Sequence, residues 1–209
     1  MTAPLHLAVA LDGTGAPAFT PGYWVDLVRE AERGLLDFVT VDDSFAARPD
    51  RPDAVLTAAR VAPLTRHVGL VPAATVTYTE PFHLSKAIAT LDYVSGGRAG
   101  WQVRVSGDPA EAAHFGRRAV TPGDPDLLDE AADYVEVVRR LWDSWEDGAE
   151  IRDAASGRFI DRDRLHYIDF EGRWFRVKGP SIVPRPPQGQ PLVTVAATDE
   201  PGYRLAGRA

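Results

Sequence analysis

Cysteine is absent from the 209 residues, which excludes disulfides and thiolate metal sites and leaves the redox compartment open. Nowhere do about 18 apolar residues run uninterrupted, and residues 1–10 lack a basic segment ahead of a long apolar one, so neither a membrane span nor export is expected. Cytoplasm is the expected location. Clustered positive charge is also missing: the formal net charge is −7 with both signs interspersed, which argues against nucleic acid or an anionic membrane as partner. The five histidines, His6, His67, His83, His114 and His166, show no metal-ligand spacing, and no metal is expected. Gly13-Thr14-Gly15 lacks the third glycine of a dinucleotide fingerprint and reads as a turn. No serine, histidine and acid fall into a nucleophile arrangement, so hydrolysis is not suggested.

What is present is an ordinary globular composition, 44% hydrophobic and 25% charged, with enough apolar content for a sizeable core in one domain. Residues 5–11 (LHLAVAL) read as a strand buried on both faces and closed by Asp12-Gly13. Residues 23–33 repeat Trp24, Leu27, Val28 and Ala31 at helical spacing, with Gly34 as a stop signal. The alternation continues: strand 37–41, helix 52–62, strand 68–76, helix 81–93 and strand 98–105. Residues 127–145 form the longest apolar stripe, a packed helix. Residues 148–178 are mixed, with a hairpin expected between 165–170 and 174–177. Together with the proline-rich stretch that follows, they form an insertion at about 148–190. Strand 192–197 and a helix starting at 202–209 complete the chain.

Alternating strands and helices imply an α/β fold with a parallel sheet, either an open doubly wound sheet or a (β/α) barrel. A closed eight-stranded barrel needs about 250 residues. Five units and an insertion fit here, so the expectation is either a complete five-stranded open sheet or a barrel domain that is incomplete at its C-terminal end, and the short helix at 202–209 favours the second. In barrels and open sheets alike, loops at the carboxyl ends of parallel strands line the site. Those ends carry Asp42, Asp43 and Ser44; Thr75 and Thr77; Gln102, Arg104 and Ser106; and Thr198, Asp199 and Glu200. Such groups suit hydrogen bonding to a polar heterocycle or a sugar-like chain.

The segment Pro81-Phe82-His83-Leu84 followed by Leu91-Asp92-Tyr93-Val94-Ser95-Gly96-Gly97-Arg98-Ala99-Gly100-Trp101-Gln102-Val103-Arg104-Val105-Ser106 is long and specific. It resembles the central motif of the nitrilotriacetate, pristinamycin and dibenzothiophene-sulfone monooxygenase branch of the bacterial luciferase-like flavoproteins. The resemblance extends to Ala31-Glu32-Arg33-Gly34, Asp43-Ser44, Leu141-Trp142-Asp143-Ser144-Trp145, Gly179-Pro180 and Pro187-Gln188-Gly189-Gln190-Pro191, in the expected order along nearly the whole chain. It implies a TIM-barrel fold of which five of eight strand units are present, and a homodimer or other homo-oligomer. It also implies a two-component monooxygenase: reduced FMN from a separate flavin reductase reacts with O2, and the activated flavin oxidises a small organic substrate. Two alternatives stay open, a non-catalytic flavin- or ligand-binding homologue and a deazaflavin-dependent dehydrogenase.

By the same resemblance, Asp43 lies against the flavin, Thr75 faces its ring, Gln102 stands for the usual asparagine after Trp101, Val105 stands for the usual threonine, and Ser106 and Thr198 belong to the cofactor site. A helix N-cap role for Asp43 and a core role for Trp101 are the competing structural readings. The resemblance also places a histidine and an Arg-Tyr pair before the long helix and a serine after the fifth strand, where the histidine, tyrosine and serine hold the flavin phosphate. This chain has Asp124, Leu127, Leu128 and Asp199 instead. Arg104, Arg117 and Arg118 are the candidate substitutes as phosphate partners.

Overall fold

The structure, a computed structural model, describes residues 5–13, 16–20, 22–46 and 51–209. Thr14, Gly15 and therefore part of the expected Gly13-Thr14-Gly15 turn lie outside the described residues. In chain order the elements are β1 (Ala8–Leu11), α1 (Tyr23–Arg33), β2 (Phe38–Val41), α2 (Ala54–Val61), β3 (Gly69–Thr75), α3 (Pro81–Ser95) and β4 (Gly100–Arg104). There follow α4 (Pro109–Phe115), α5 (Asp126–Asp143), β5 (Glu150–Asp153), β6 (Arg158–Ile160), β7 (Phe170–Glu171), β8 (Arg176–Val177), β9 (Leu192–Val195) and α6 (Glu200–Arg208). Five strands form one parallel sheet in the order β1-β2-β3-β4-β9, joined throughout by crossovers. Helices α1, α2, α3, α5 and α6 each touch the next along one side of it.

The sheet has two unlike faces, and strand alternation sets them. Val39, Val41, Leu70, Trp101 and Val103 point toward the helices and join Ile88, Leu91, Val135 and Trp142 in one buried core. The registers Ala73↔Gln102 and Gln102↔Thr194 put small and polar residues together on the other face. The carboxyl end of the sheet carries the candidate site, with one cavity on this face and a second toward α2 and α3. The fold is thus the parallel α/β arrangement of a barrel, with five consecutive strand units.

Local chemistry explains the element ends. Helix α3 starts on Pro81, whose missing N–H costs nothing at that position, and stops at Gly96, which takes the left-handed conformation with φ of 69°. Helix α5 buries Leu127, Ala131, Tyr134, Val135, Val138 and Trp142 along one stripe. The Leu91–Gln102 stretch is scaffold: the fully buried Asp92 carboxylate accepts from Ala99 N, Gln188 N and Gln188 Nε2. Arg98 reaches back to the carbonyls of Ala62, Thr65 and Val68, closing the turn before β3.

Three expectations are corrected. Strand β1 is not buried on both faces: Leu5 is 82% and Leu7 53% exposed, because β1 is an edge strand paired only with β2. The expected hairpin at 165–177 shrinks to the two-residue strands β7 and β8, while Leu165 instead bridges to Trp145. Helix α4 was not anticipated, although Asp108 accepting from Ala110 N, Pro109 in the first turn and Gly116 in the left-handed region are ordinary start and stop signals. A further antiparallel pair, β5 and β6, also lies between α5 and β9. Among the described residues no helix is long and apolar enough to cross a membrane.

Candidate functional site

Two adjoining cavities open at the carboxyl ends of the parallel strands. The first, roughly 370 Å3, is lined among others by Asp42, Ala73, Gln102, Arg104, Thr198 and Asp199. The second, roughly 340 Å3, is lined among others by Asp43, Phe45, Ala73, Thr75, Thr79 and His83. Ala73 belongs to both walls, so β3 separates the two. Of the residues expected at the cofactor, Gln102 and Thr198 come together in the first cavity and Asp43 and Thr75 in the second. Ser106 lines neither: it is buried, receives the Tyr78 hydroxyl at 3.3 Å and the Asp108 N–H at 3.2 Å, and ties the loops after β3 and β4 together. Trp101 is fully buried beside Tyr134, in the core role.

A one-residue step decides which aspartate enters the first cavity. In β2, Val39 and Val41 point into the helix-side core and Thr40 points away, so continued alternation sends Asp42 to the Gln102 face and Asp43 toward α2. There the Asp43 carboxylate accepts from Ala54 N at 2.9 Å and from Ser44 N at 2.7 Å, closing the start of α2 beside the true N-cap, Asp53. Burial pushes the Asp43 carboxyl above the ordinary aspartate range, against the pull of those two N–H groups. Asp42, by contrast, joins a lattice of alternating charge. Arg51 bridges it at 2.5 Å to Asp12 at 2.7 Å, across the tops of β1 and β2. Arg104, at the end of β4, lies 3.7 Å from Asp42 and 3.9 Å from the buried Glu111. Asp42 and Glu111 were not singled out as a pair by sequence; the Phe38-Val39-Thr40-Val41 alternation carried the signal for the first, and the unread α4 hid the second.

One aromatic ring, Phe45, lines the second cavity and is backed by two more. Phe45, from the loop after β2, packs edge-on to Phe115 at 4.7 Å, and Phe115 stacks on Tyr78 at 5.1 Å. Of the three arginines expected as anion partners, Arg104 lines the first cavity between two carboxylates, and the other two are committed elsewhere: Arg117 pairs with Glu80 at 2.7 Å, and Arg118 pairs with Glu130, whose carboxyl is raised by burial against the pull of that same guanidinium.

A polar strip of amide and hydroxyl groups at strand ends, next to a largely apolar cavity that includes Phe45, suits a planar heterocycle with a polar edge. The luciferase-like monooxygenase family model matches residues 3–209. The chain belongs to that luciferase-like monooxygenase family. Among curated relatives, component A of nitrilotriacetate monooxygenase from Aminobacter aminovorans is 42% identical, over 89% of this chain and 45% of its own length. Dibenzothiophene-sulfone monooxygenase from Rhodococcus erythropolis is 35% identical over the same shares, 89% and 45%. Among solved structures, the long-chain alkane monooxygenase LadA superposes with a TM-score of 0.88 at 26% identity, covering 99% of this chain and 55% of that one. This luciferase-like chain therefore spans about half the length of the relatives it matches. The middle of its central motif falls on the scaffold around Asp92 and Arg98, and its two ends enter the site, His83 and Leu84 in the second cavity and Gln102 and Arg104 in the first.

Proposed function

We propose that this chain forms the flavin-holding part of a two-component monooxygenase, in which a reduced flavin from a separate reductase and O2 serve to oxidise a small organic substrate. The supporting observation is the pairing of Gln102 and Thr198 in one cavity at the carboxyl ends of β4 and β9, with Thr75 and Phe45 lining the adjoining cavity across β3. In this reading residues 1–209 belong to one barrel domain with an insertion at about 148–190, and the working protein is a cytoplasmic homo-oligomer.

The ring end of the site fits a flavin. Gln102 offers both a donor and an acceptor to the polar edge of the ring system, and Thr75 and Thr198 offer hydroxyls. Asp43 forms the far wall of the Thr75 cavity while holding the start of α2, and Ser106 supports the β4 end from beneath. When bound, the reduced flavin would supply the two electrons that activate O2, and O2 would supply the oxygen atom that is transferred. The protein's part is environmental: Phe45, packed against Phe115, shields the Thr75 side of the site from water, and the charge lattice of Asp12, Asp42, Arg51 and Arg104 fixes the rim. The phosphate end fits poorly, because Asp124, Leu127, Leu128 and Asp199 line it.

Rapid mixing tests this reading. Anaerobically reduced riboflavin and reduced FMN, each with and without the protein, are mixed with oxygenated buffer and reoxidation is followed by absorbance. At least one flavin is expected to reoxidise with a course that depends on protein concentration. A course identical to that of free flavin for both would overturn the proposal.

A further inference from the structure

We infer that the site discriminates against a phosphorylated flavin, with Asp199 as the specificity-determining residue, and that it takes a flavin whose ribityl tail ends in an uncharged hydroxyl. The inference rests on the flavin reading just given and concerns the tail rather than the ring. A cavity of roughly 620 Å3 adjoins the Gln102 cavity where β4 and β9 lead into α5 and α6, and it is lined among others by Asp124, Leu127, Asp129, Asp199, Arg204 and Arg208. Asp199 and Leu128 line both cavities, so a ligand with its ring beside Gln102 has this as the continuing direction for a tail.

The nine-residue helix α6 starts there, and the start of a helix is ordinarily a good place for an anion because its first N–H groups are free. Here they are not free. The Asp199 carboxylate itself accepts from Gly202 N at 2.8 Å, and Pro201 has no N–H to give. Of the first three helical positions only Glu200 keeps a donor, and its side chain adds another negative charge. The opposite wall is no better: Asp124 and Asp129 are acidic, and Leu127 and Leu128 offer no hydrogen bond. The two cations of the lining face carboxylates, Arg204 at 3.6 Å from Glu200 and Arg208 at 3.5 Å from Asp129. Arg104, Arg117 and Arg118, the remaining candidate phosphate partners, do not line this cavity at all. A dianion placed here meets a carboxylate where a phosphate site offers N–H groups, and like charges at that range repel even in a wet cavity. A ribityl hydroxyl both donates and accepts, so it is compatible with Asp199 as an acceptor.

The test is equilibrium titration of the full chain with riboflavin and with FMN, at low and at moderate salt, for the wild type, Asp199→Asn and Asp199→Ser. Asparagine and serine both cap helices well, so α6 keeps its start in either variant. The wild type is expected to bind riboflavin at least as tightly as FMN, with FMN binding strengthened by added salt. Both variants should tighten FMN about tenfold, the size expected for removing one charge beside a dianion, and leave riboflavin within about twofold. Wild-type preference for FMN by tenfold or more, or FMN affinity unmoved in both variants, would overturn the inference while leaving the flavin site standing. Binding of neither flavin by a folded wild-type chain would sink the flavin reading itself, and this inference with it.

Discussion

Asp92 is the place where a single substitution reports most directly on how the scaffold is held. Its side chain is fully buried between α3, β4 and the loop before β9, and it accepts from Ala99 N at 3.1 Å, Gln188 N at 2.9 Å and Gln188 Nε2 at 2.6 Å. Replacing it with alanine removes the acceptor from all three. Gln188 Nε2 retains the Ala99 carbonyl at 2.7 Å, but the two backbone N–H groups have no second partner within the turn. Each stranded buried donor costs about 1–3 kcal/mol, and bonds to a charged acceptor sit at the upper end. The total for Asp92→Ala is therefore about 3–5 kcal/mol, a large share of the stability of about 5–15 kcal/mol typical of a folded domain. In urea, with a slope of about 2 kcal/mol per molar, the midpoint should fall by about 1.5–2.5 M. Tryptophan fluorescence and far-UV circular dichroism should give coincident curves. Gln188→Ala should cost less, because it leaves the Gln188 N–H bond to Asp92 in place, and the double variant should show coupling of about 1 kcal/mol or more. An Asp92→Ala midpoint within about 0.3 M of wild type would refute the reasoning, since it would mean that the three bonds are replaced without loss.

Two further outcomes follow from the same geometry. Gly100→Ala places a Cβ 2.8 Å from the Leu192 carbonyl oxygen and 3.1 Å from both Leu192 Cβ and Val71 Cγ2, so β9 must move off β4; thermal unfolding should show a loss of about 1–3 kcal/mol. Partial burial works to raise the Glu32 carboxyl, but the N–H groups of His67, Arg66 and Val68 outweigh it and hold the carboxyl below its ordinary value of 4.5. A depressed folded pKa means that the carboxylate's contribution is complete above the ordinary value and is lost as pH falls below it. Denaturation midpoints of Glu32→Gln and wild type should accordingly diverge at neutral pH and converge below pH 4.5; a difference that does not shrink on acidification would contradict the assignment.

Most of the architecture was legible because hydrophobic periodicity and strand ends are local. The runs ending in Asp12, Asp43, Thr75 and Arg104 and the stripes in α1, α3 and α5 require only near neighbours to be read. The exposure of β1 was not legible, since it depends on what lies beside the strand and not on its own residues. The site was half legible. Gln102 and Thr198 belong to it by position alone, whereas the burial of Ser106 depends on Tyr78, 28 positions away. Asp42 was recoverable from the alternation of Val39, Thr40 and Val41, but the run Asp42-Asp43-Ser44 offers two carboxylates, and pairing across the sheet decides which of them faces Gln102. The long motif combines residues that brace the sheet, Asp92 and Arg98, with residues that line the cavities, His83, Gln102 and Arg104.

The most direct test of the flavin site is an anaerobic titration of the chain with oxidised and reduced flavin, phosphorylated and not, set beside Gln102→Ala with circular dichroism as the check on folding. The account predicts saturable binding of at least one flavin by the wild type and a loss of about tenfold or more in the variant, as for one well-placed hydrogen-bonding group in a buried site. Absence of saturable binding by the folded wild type, or equal affinity in the folded variant, would contradict it.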